Sequence, residues 1–512
     1  MSEAVSTAAP PALLPSLDPL LRAWLPRQRW FAGKGRPLTH LNLLSATELL
    51  PPGAGPGLIH LLLQVGQGPG STEAGSQSPA EADCYQLLLG VRPTLPFDLE
   101  QAAIGKVNEG PLAGHVVYEG LRDPRLAVLL LERLRTPGRL GPLRFDRDPA
   151  TQIPAGLAPR PLSGEQSNSS LVYGDSFILK VFRRVGPGTN PDLELPRELA
   201  RVGCTRVPAP VAWYEADSAT EPVTLGVLQP YLRGSADGWQ LALHRLAAGQ
   251  DFTPEARALG RATAEVHTAL AEALPTLPLH RSHTEQLAAD MTARLALAVR
   301  AVPDLQPYAA GLRAAFDALA ARGTAACTWP AQRVHGDLHL GQTLRTAGGQ
   351  WAIIDFEGEP ARPLAERRLP QPPVRDIAGM LRSFDYAARS HDPWDPAWAD
   401  RCRAAYCEGY ARTTGRDPRE EPELLRAFET DKAVYEVVYE ARHRPDWIPV
   451  PMAAIHRLAG PVGATALPRT TGPGPRPGHL PAKTFTARPA VSPRPDSRTS
   501  PDRPDLPRRP LP

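Results

Sequence analysis

The densest run of groups able to do chemistry lies at residues 333–360, Arg-Val-His-Gly-Asp-Leu-His-Leu-Gly-Gln followed by a short polar turn and Trp-Ala-Ile-Ile-Asp-Phe-Glu-Gly-Glu-Pro. Phosphoryl transfer requires a carboxylate to position a hydroxyl and take its proton, and cations to neutralise the phosphates. Asp337 stands two positions after His335 and five before Gln342, the spacing of a loop whose aspartate is the base and whose amide holds metal. Asp355 comes 18 positions after Asp337, directly behind the apolar run 351–354, which reads as a buried strand delivering a second carboxylate to the same place. Gln342 and Asp355 are therefore the expected magnesium ligands, since that ion takes a few hard oxygen ligands and leaves the rest of its shell to phosphates. His335 is expected to brace the loop backbone, and His339 either faces the acceptor or makes a loop contact. Either aspartate alone would be ordinary loop structure; the pairing and the strand before the second argue for chemistry.

A phosphoryl donor needs a cradle. Gly164-Glu-Gln-Ser-Asn-Ser-Ser170 lies between strand signals, and Gln166, Ser167, Asn168, Ser169 and Ser170 can present N–H and hydroxyl groups to phosphates. The stretch lacks a Gly-x-Gly-x-x-Gly pattern and by itself is a turn. Lys180, in the apolar strand that follows, is costly there unless paired, which points to a lysine on the α and β phosphates of ATP, with Glu194 or Glu198 of the next helix as its partner. The strand ending at Leu228 then leads into an adenine-contacting hinge at Gln229 and Tyr231.

These residues need two lobes to hold them. The 512 residues exceed one ordinary core, so two or three domains are expected. Residues 1–100 read as a small α+β unit, with a short helix starting near Pro19 behind Asp18 and strands at 58–65 and 84–91. Residues 101–232 read as mainly short strands, among them 115–118, 126–131, 171–173, 177–181 and 223–228, interrupted by a helix at 191–202 behind Asn190. Residues 233–460 carry amphipathic helical patterns at 237–248, 255–273, 284–300, 306–322, 374–389, 397–413 and 421–443. The fold class is thus α+β, a strand-rich half before a helix-rich half, arranged as in bilobal protein kinases. Residues 461–512 are about a quarter proline and read as a disordered tail.

Composition excludes other classes. The net charge is +3, but the tail holds nine Lys or Arg against three Asp, leaving −3 for residues 1–460. No basic stripe interleaved with aromatics suggests nucleic acid. Five scattered cysteines without a Cys-x-x-Cys pair favour neither disulfides nor zinc. No stretch approaches the roughly 20 apolar residues of a membrane span, and the N-terminus does not read as a signal peptide, so a cytoplasmic location is expected. The basic tail is a candidate tether to an anionic surface or a pathway enzyme.

The wording His335-Gly-Asp-Leu-His-Leu-Gly-Gln342 with Asp355-Phe-Glu-Gly-Glu-Pro360 resembles the bacterial maltokinases, relatives of the aminoglycoside phosphotransferases and choline kinases. The resemblance extends to residues 28–36, 165–170, 190–192, 375–386 and 432–442. It implies an N-terminal cap subdomain and ATP-dependent phosphorylation of the anomeric hydroxyl of maltose to maltose 1-phosphate, feeding α-glucan synthesis. Gln342 in place of Asn, and Glu357 where a kinase has Gly, both match the maltokinase pattern. Glu357 and Glu359 can bind sugar hydroxyls or metal. Tyr435 and Tyr439, spaced i, i+4, are a core stripe or, with Glu440, a sugar subsite. Asp376, near a helix start, ties down the catalytic loop or caps the helix. Alternatives are a kinase of the same fold acting on glucosamine or an aminoglycoside, and a nucleotide-binding pseudokinase or scaffold.

Overall fold

The computed structural model describes residues 12–68, 82–162, 167–321, 330–359 and 362–460. The chain opens with α1 (Leu13–Trp24), whose Leu13, Leu17, Leu21 and Trp24 bury one face. This corrects the helix start expected near Pro19. The apolar face continues back through Leu13, so Pro19 lies inside the helix, and Asp18 pairs with Arg22 at 2.6 Å instead of capping.

Five antiparallel strands follow, β1 (Leu38–Leu50), β2 (Gly57–Gln67), β3 (Asp83–Arg92), β4 (Ala103–Lys106) and β5 (Val116–Glu119), in the order β1-β2-β3-β5-β4. The first sheet therefore runs past residue 100. Strands β2 and β3 are buried almost throughout because α1 covers one face and α2 (Pro124–Arg135) the other. The apolar run at 126–131, read as a strand, is the inner face of α2: Asp123 caps it, accepting from Arg125 N at 2.9 Å, and Pro124 takes the first helical position.

The second sheet has seven strands, β6 (Gly138–Leu140), β7 (Leu143–Arg147), β8 (Pro159–Pro161), β9 (Asn168–Tyr173), β10 (Phe177–Phe182), β12 (Ala212–Ala216) and β13 (Val223–Pro230), ordered β6-β7-β12-β13-β10-β9-β8. The two-residue β11 (Arg184–Val185) leaves this sheet and pairs with β3 of the first. Helix α3 (Pro191–Arg201) separates β11 from β12. The two sheets share one apolar core with α2.

The remainder is helical: α4 (Gly238–Ala247), α5 (Thr253–Ala273), α6 (Arg281–Ala301), α7 (Ala309–Ala321), α8 (Leu364–Arg367), α9 (Val374–Arg389), α10 (Pro396–Thr414), α11 (Pro422–His443) and α12 (Pro449–Ala459). A small sheet of β14 (Ala236–Asp237), β15 (Thr343–Arg345) and β16 (Trp351–Ile353) carries the catalytic stretch. No helix among the described residues is long and apolar enough to cross a membrane. The Pro-rich tail lies outside the described residues.

A buried polar knot joins the first two sheets. Gln86 of β3 donates from Nε2 to Phe182 O (2.6 Å) and Leu225 O (2.8 Å), and its Oε1 accepts from Tyr214 Oη (2.8 Å) and His60 Nε2 (3.0 Å). Burial holds His60 neutral, with its pKa down at about 4, the bond to Gln86 opposing only part of the drop. A histidine depressed from 6.5 contributes stability that is complete above 6.5 and is lost as pH falls toward 4. Acidification from pH 7 to 4 is therefore expected to cost ~3 kcal/mol through this group. Denaturant titrations across that range should show a flatter pH dependence for His60→Leu than for the wild type.

Candidate active site

The donor side is built on β9, β10 and the N-terminus of α3. Lys180 points from β10 into the protein, where its Nζ lies 2.6 Å from Asp192 Oδ2 and 3.0 Å from Asp355 Oδ1. It is almost wholly buried, and the two aspartates with Glu357 raise its pKa well above the ordinary value against the effect of burial. This corrects the expected partner. Residues two apart on a helix point some 200° apart, so when Asp192 faces β10, Glu194 faces away; it binds Arg333, two residues before His335, at 2.9 and 2.8 Å. Asn190 fixes the start of α3 by accepting from Asp192 N at 2.9 Å.

Asp355 lies just past β16 with φ of +69°, a left-handed conformation that a non-glycine residue holds only under constraint. Its carboxylate, that of Asp192 and that of Glu357 all offer oxygens within 4.8 Å of one another. Glu357 also accepts from Asn168 Nδ2. Glu357 thus sits on the donor side with the aspartates, not among acceptor contacts. Gln342 is buried with Oε1 lacking a hydrogen-bond partner among the described residues, while its backbone O accepts from Ile354 N at 3.0 Å. A buried unpaired carbonyl and three clustered carboxylates form a hard-oxygen donor set suited to magnesium.

The other donor-side residues separate. Gln229 and Tyr231 line a small slot with Ile178, Lys180, Leu344 and Ile354, between the second sheet and the catalytic stretch. The Gln229 side chain donates to Pro208 O at 3.3 Å. Ser169 Oγ accepts from Arg183 Nε at 2.8 Å, Ser170 is buried opposite Lys180 in β9, and the buried Ser167 Oγ has no partner among the described residues. Gln166 lies outside the described residues.

The catalytic loop is held from behind by Asp376, in the first turn of α9. Its two oxygens accept from His335 N and Gly336 N, both at 2.8 Å, and His267 Nε2 lies 3.0 Å away. Burial pushes the Asp376 pKa up, but His267 and the backbone donor outweigh it and hold the carboxylate below its ordinary value. His335 Nε2 donates to Ile354 O at 2.9 Å, fastening the loop to the residue before Asp355. His339 caps the next turn, its Nδ1 accepting from Gly341 N at 3.1 Å, so that nitrogen serves the loop.

Asp337 opens on a cavity of about 460 Å³ between the loop 335–342, α6 and α11. Its Oδ1 lies 2.9 Å from Lys432 Nζ, and the same ammonium lies 3.1 Å from Glu359 Oε1. Glu359 also binds Arg375 (2.9 Å) and Arg362 (3.0 Å). Burial opposes ionisation of Glu359, but Lys432 and the two arginines bring its pKa to about 2. Tyr435 lines the cavity beside Lys432, whose Nζ lies 5.0 Å from the ring centre. Glu440 does not face it: this carboxylate is buried against Arg444 and Tyr386 Oη, which corrects its expected sugar contact. Lys432 was missed. The signal available was a lone lysine one turn before Tyr435 in an otherwise acidic and aromatic stretch.

Asp337 thus lines one cavity, while Lys180, held by Asp192 and Asp355, lines a separate slot. Residues 24–123 match the family described as the maltokinase N-terminal cap domain, and residues 159–421, more than half of the chain, match the phosphotransferase enzyme family. The chain belongs to the phosphotransferase enzyme family. It is 32% identical over 347 residues to a glucosamine kinase of Streptacidiphilus jiangxiensis, covering 59% of this chain and 75% of that one. It is also 32% identical over 325 residues to a glucosamine kinase of Mycolicibacterium smegmatis, covering 58% and 79%. A glucosamine kinase structure shares the fold with a TM-score of 0.62 at 24% identity, covering 86% of this chain and 98% of that chain. Another, in complex with glucosamine, ADP and inorganic phosphate, superposes with a TM-score of 0.58. The maltokinase and aminoglycoside phosphotransferase kinship read from the sequence, and the kinase-like α+β fold, both hold.

The Lys180 geometry separates two acidic residues one half-turn apart. Asp192→Asn is expected to lower kcat/KM by about 100-fold, because it leaves a buried ammonium short of a partner. Glu194→Gln should lose less than about 10-fold, since the amide keeps an oxygen that accepts from Arg333 and Lys180 keeps both of its carboxylates. Steady-state kinetics of both variants check the assignment.

Proposed function

We propose that this phosphotransferase moves the γ-phosphoryl group of ATP to the anomeric hydroxyl of maltose, giving maltose 1-phosphate and ADP for α-glucan synthesis. Asp337 takes the hydroxyl proton as the acceptor oxygen forms its bond to phosphorus and the bond to the ADP oxygen breaks. Lys432 holds the Asp337 carboxylate in place. Magnesium would be held by Asp355 and Gln342, with Asp192 and Glu357 beside them, and would offset charge on the phosphates. Lys180 is the phosphate-facing cation, and Gln229 and Tyr231 border the adenine slot.

One observation supports a neutral sugar most strongly. The carboxylates Asp337, Glu359 and Asp431 that line the acceptor cavity are each already paired, with Lys432, with Arg375, Arg362 and Lys432, and with Arg294 respectively. Glu366 stands exposed at the rim. An amino sugar or aminoglycoside would have to break one of these pairs, or reach out to Glu366 at the rim, to neutralise its own ammonium. The match of residues 24–123 to the maltokinase cap supports the same choice. The second reading, glucosamine as acceptor, is favoured by the two relatives at 32% identity.

A panel of maltose, glucose, glucosamine and aminocyclitols with ATP and magnesium, scored by ADP release and by phosphorus NMR of the product, separates the two. Maltose is expected to give the highest kcat/KM and an anomeric phosphate; a preference for glucosamine would overturn the maltose assignment. Asp337→Asn is expected to lower kcat by about 10²–10⁴-fold with whichever sugar is turned over.

A further inference from the structure

Arg367, the last residue of α8, is a cation beside the donor site that has no carboxylate partner among the described residues. Its Nη1 donates to Glu357 O at 2.9 Å, and its Nε is buried without a hydrogen-bond partner among the described residues. Neighbouring arginines are satisfied: Arg362 and Arg375 by Glu359, and Arg368 by Glu221 at 2.8 Å. No ion pair of Arg367 occurs among the described residues. A guanidinium has five N–H donors in a planar fork, and leaving most of them unused in a partly buried position is costly.

Two glycines place this fork. Gly358 has φ of +72°, and a Cβ there would lie 3.4 Å from Arg367 Cδ, so the arginine stem lies across the bare backbone of the Asp-Phe-Glu-Gly turn. On that turn's other contact, a Cβ at Gly336, whose φ is +85°, would lie 3.3 Å from Gly358 Cα. The catalytic loop, the turn bearing Asp355 and Glu357, and Arg367 are therefore stacked in close contact. Glu366, the preceding residue, stands at the rim of the acceptor cavity, while Arg367 touches the donor-side turn through the Glu357 carbonyl. Glu357 and Asp355 act electrostatically on the guanidinium, offsetting part of the effect of burial.

Charge balance indicates the ligand. Asp192, Asp355 and Glu357 carry three negative charges against one on Lys180, and a single divalent cation cancels the remaining two. The terminal phosphoryl group then needs a further cation. Planar bidentate recognition of a phosphate is what an unpaired guanidinium does best, whereas a neutral sugar hydroxyl would leave its charge uncompensated.

We propose that Arg367 binds the terminal phosphoryl group of the nucleoside triphosphate through its unpaired N–H donors. This rests on the ATP-kinase reading and is independent of the acceptor. Calorimetric titration of the full chain with AMP-PNP and with ADP, each with magnesium, tests it in the wild type, Arg367→Gln and Arg367→Lys. Arg367→Gln is expected to weaken AMP-PNP binding by about 10- to 100-fold while ADP changes by less than about threefold. Arg367→Lys, which keeps charge and loses the fork, should fall between, and it carries the test should the glutamine variant fail to fold. Equal weakening of both nucleotides would show a brace for the Glu357 carbonyl only, and unchanged AMP-PNP affinity would show no contact; either overturns the proposal. A wild type that binds neither nucleotide would instead overturn the ATP reading on which it stands.

Discussion

The whole arrangement depends on keeping one ammonium charged inside a β-sheet. Lys180 can remain ionised at its depth only because Asp192 and Asp355 reach it from two other parts of the chain. Asp192 supplies the link to α3 and, through Oδ1, accepts from Phe356 N at 2.7 Å. Asp355 supplies the link to the catalytic sheet. A single charge-satisfaction requirement thus ties together a strand, a helix start and the turn after β16, and it fixes three of the residues that face the donor side.

A second set of constraints fixes the acceptor side. Asp376 gives the catalytic loop two backbone acceptors, His335 ties that loop to Ile354, and Lys432 reaches across from α11 to Asp337 and Glu359. Asp337 is therefore positioned from behind by hydrogen bonds to its loop and from the front by an ammonium that also binds Glu359 in the cavity wall. The first sheet joins this assembly through β11 and through the Gln86 knot, so its register is coupled to that of β10, the strand bearing Lys180.

The site was most legible where chemistry dictates spacing along a short segment. Asp337, Gln342 and Asp355 could be picked out because a loop and a strand end fix their separation. Partners across the fold were less legible. Lys180 demanded an acid, but choosing Asp192 over Glu194 requires knowing which face of α3 meets β10. Glu357 and Glu359, two residues apart, diverge to donor and acceptor sides because Gly358 between them adopts a left-handed turn. Glu440 looked like a ligand from its aromatic neighbours, yet Arg444 one turn later had already claimed it. In the fold, helices with clear 3.6-residue periodicity were placed closely, whereas α2 was hidden as a short leucine run that fits a buried strand equally well. Strand β1 was invisible because its exposed face is polar and its alternation irregular.

In the proposed reaction Asp355, held in a left-handed conformation just past β16, and the Gln342 side-chain carbonyl, unpaired among the described residues, would together hold the divalent cation. Manganese titration followed by electron paramagnetic resonance, with AMP-PNP present, reads this directly. The wild type should bind manganese with the nucleotide, Asp355→Asn should lose that binding, and Gln342→Leu should weaken it. Wild-type manganese affinity in Asp355→Asn would contradict the account.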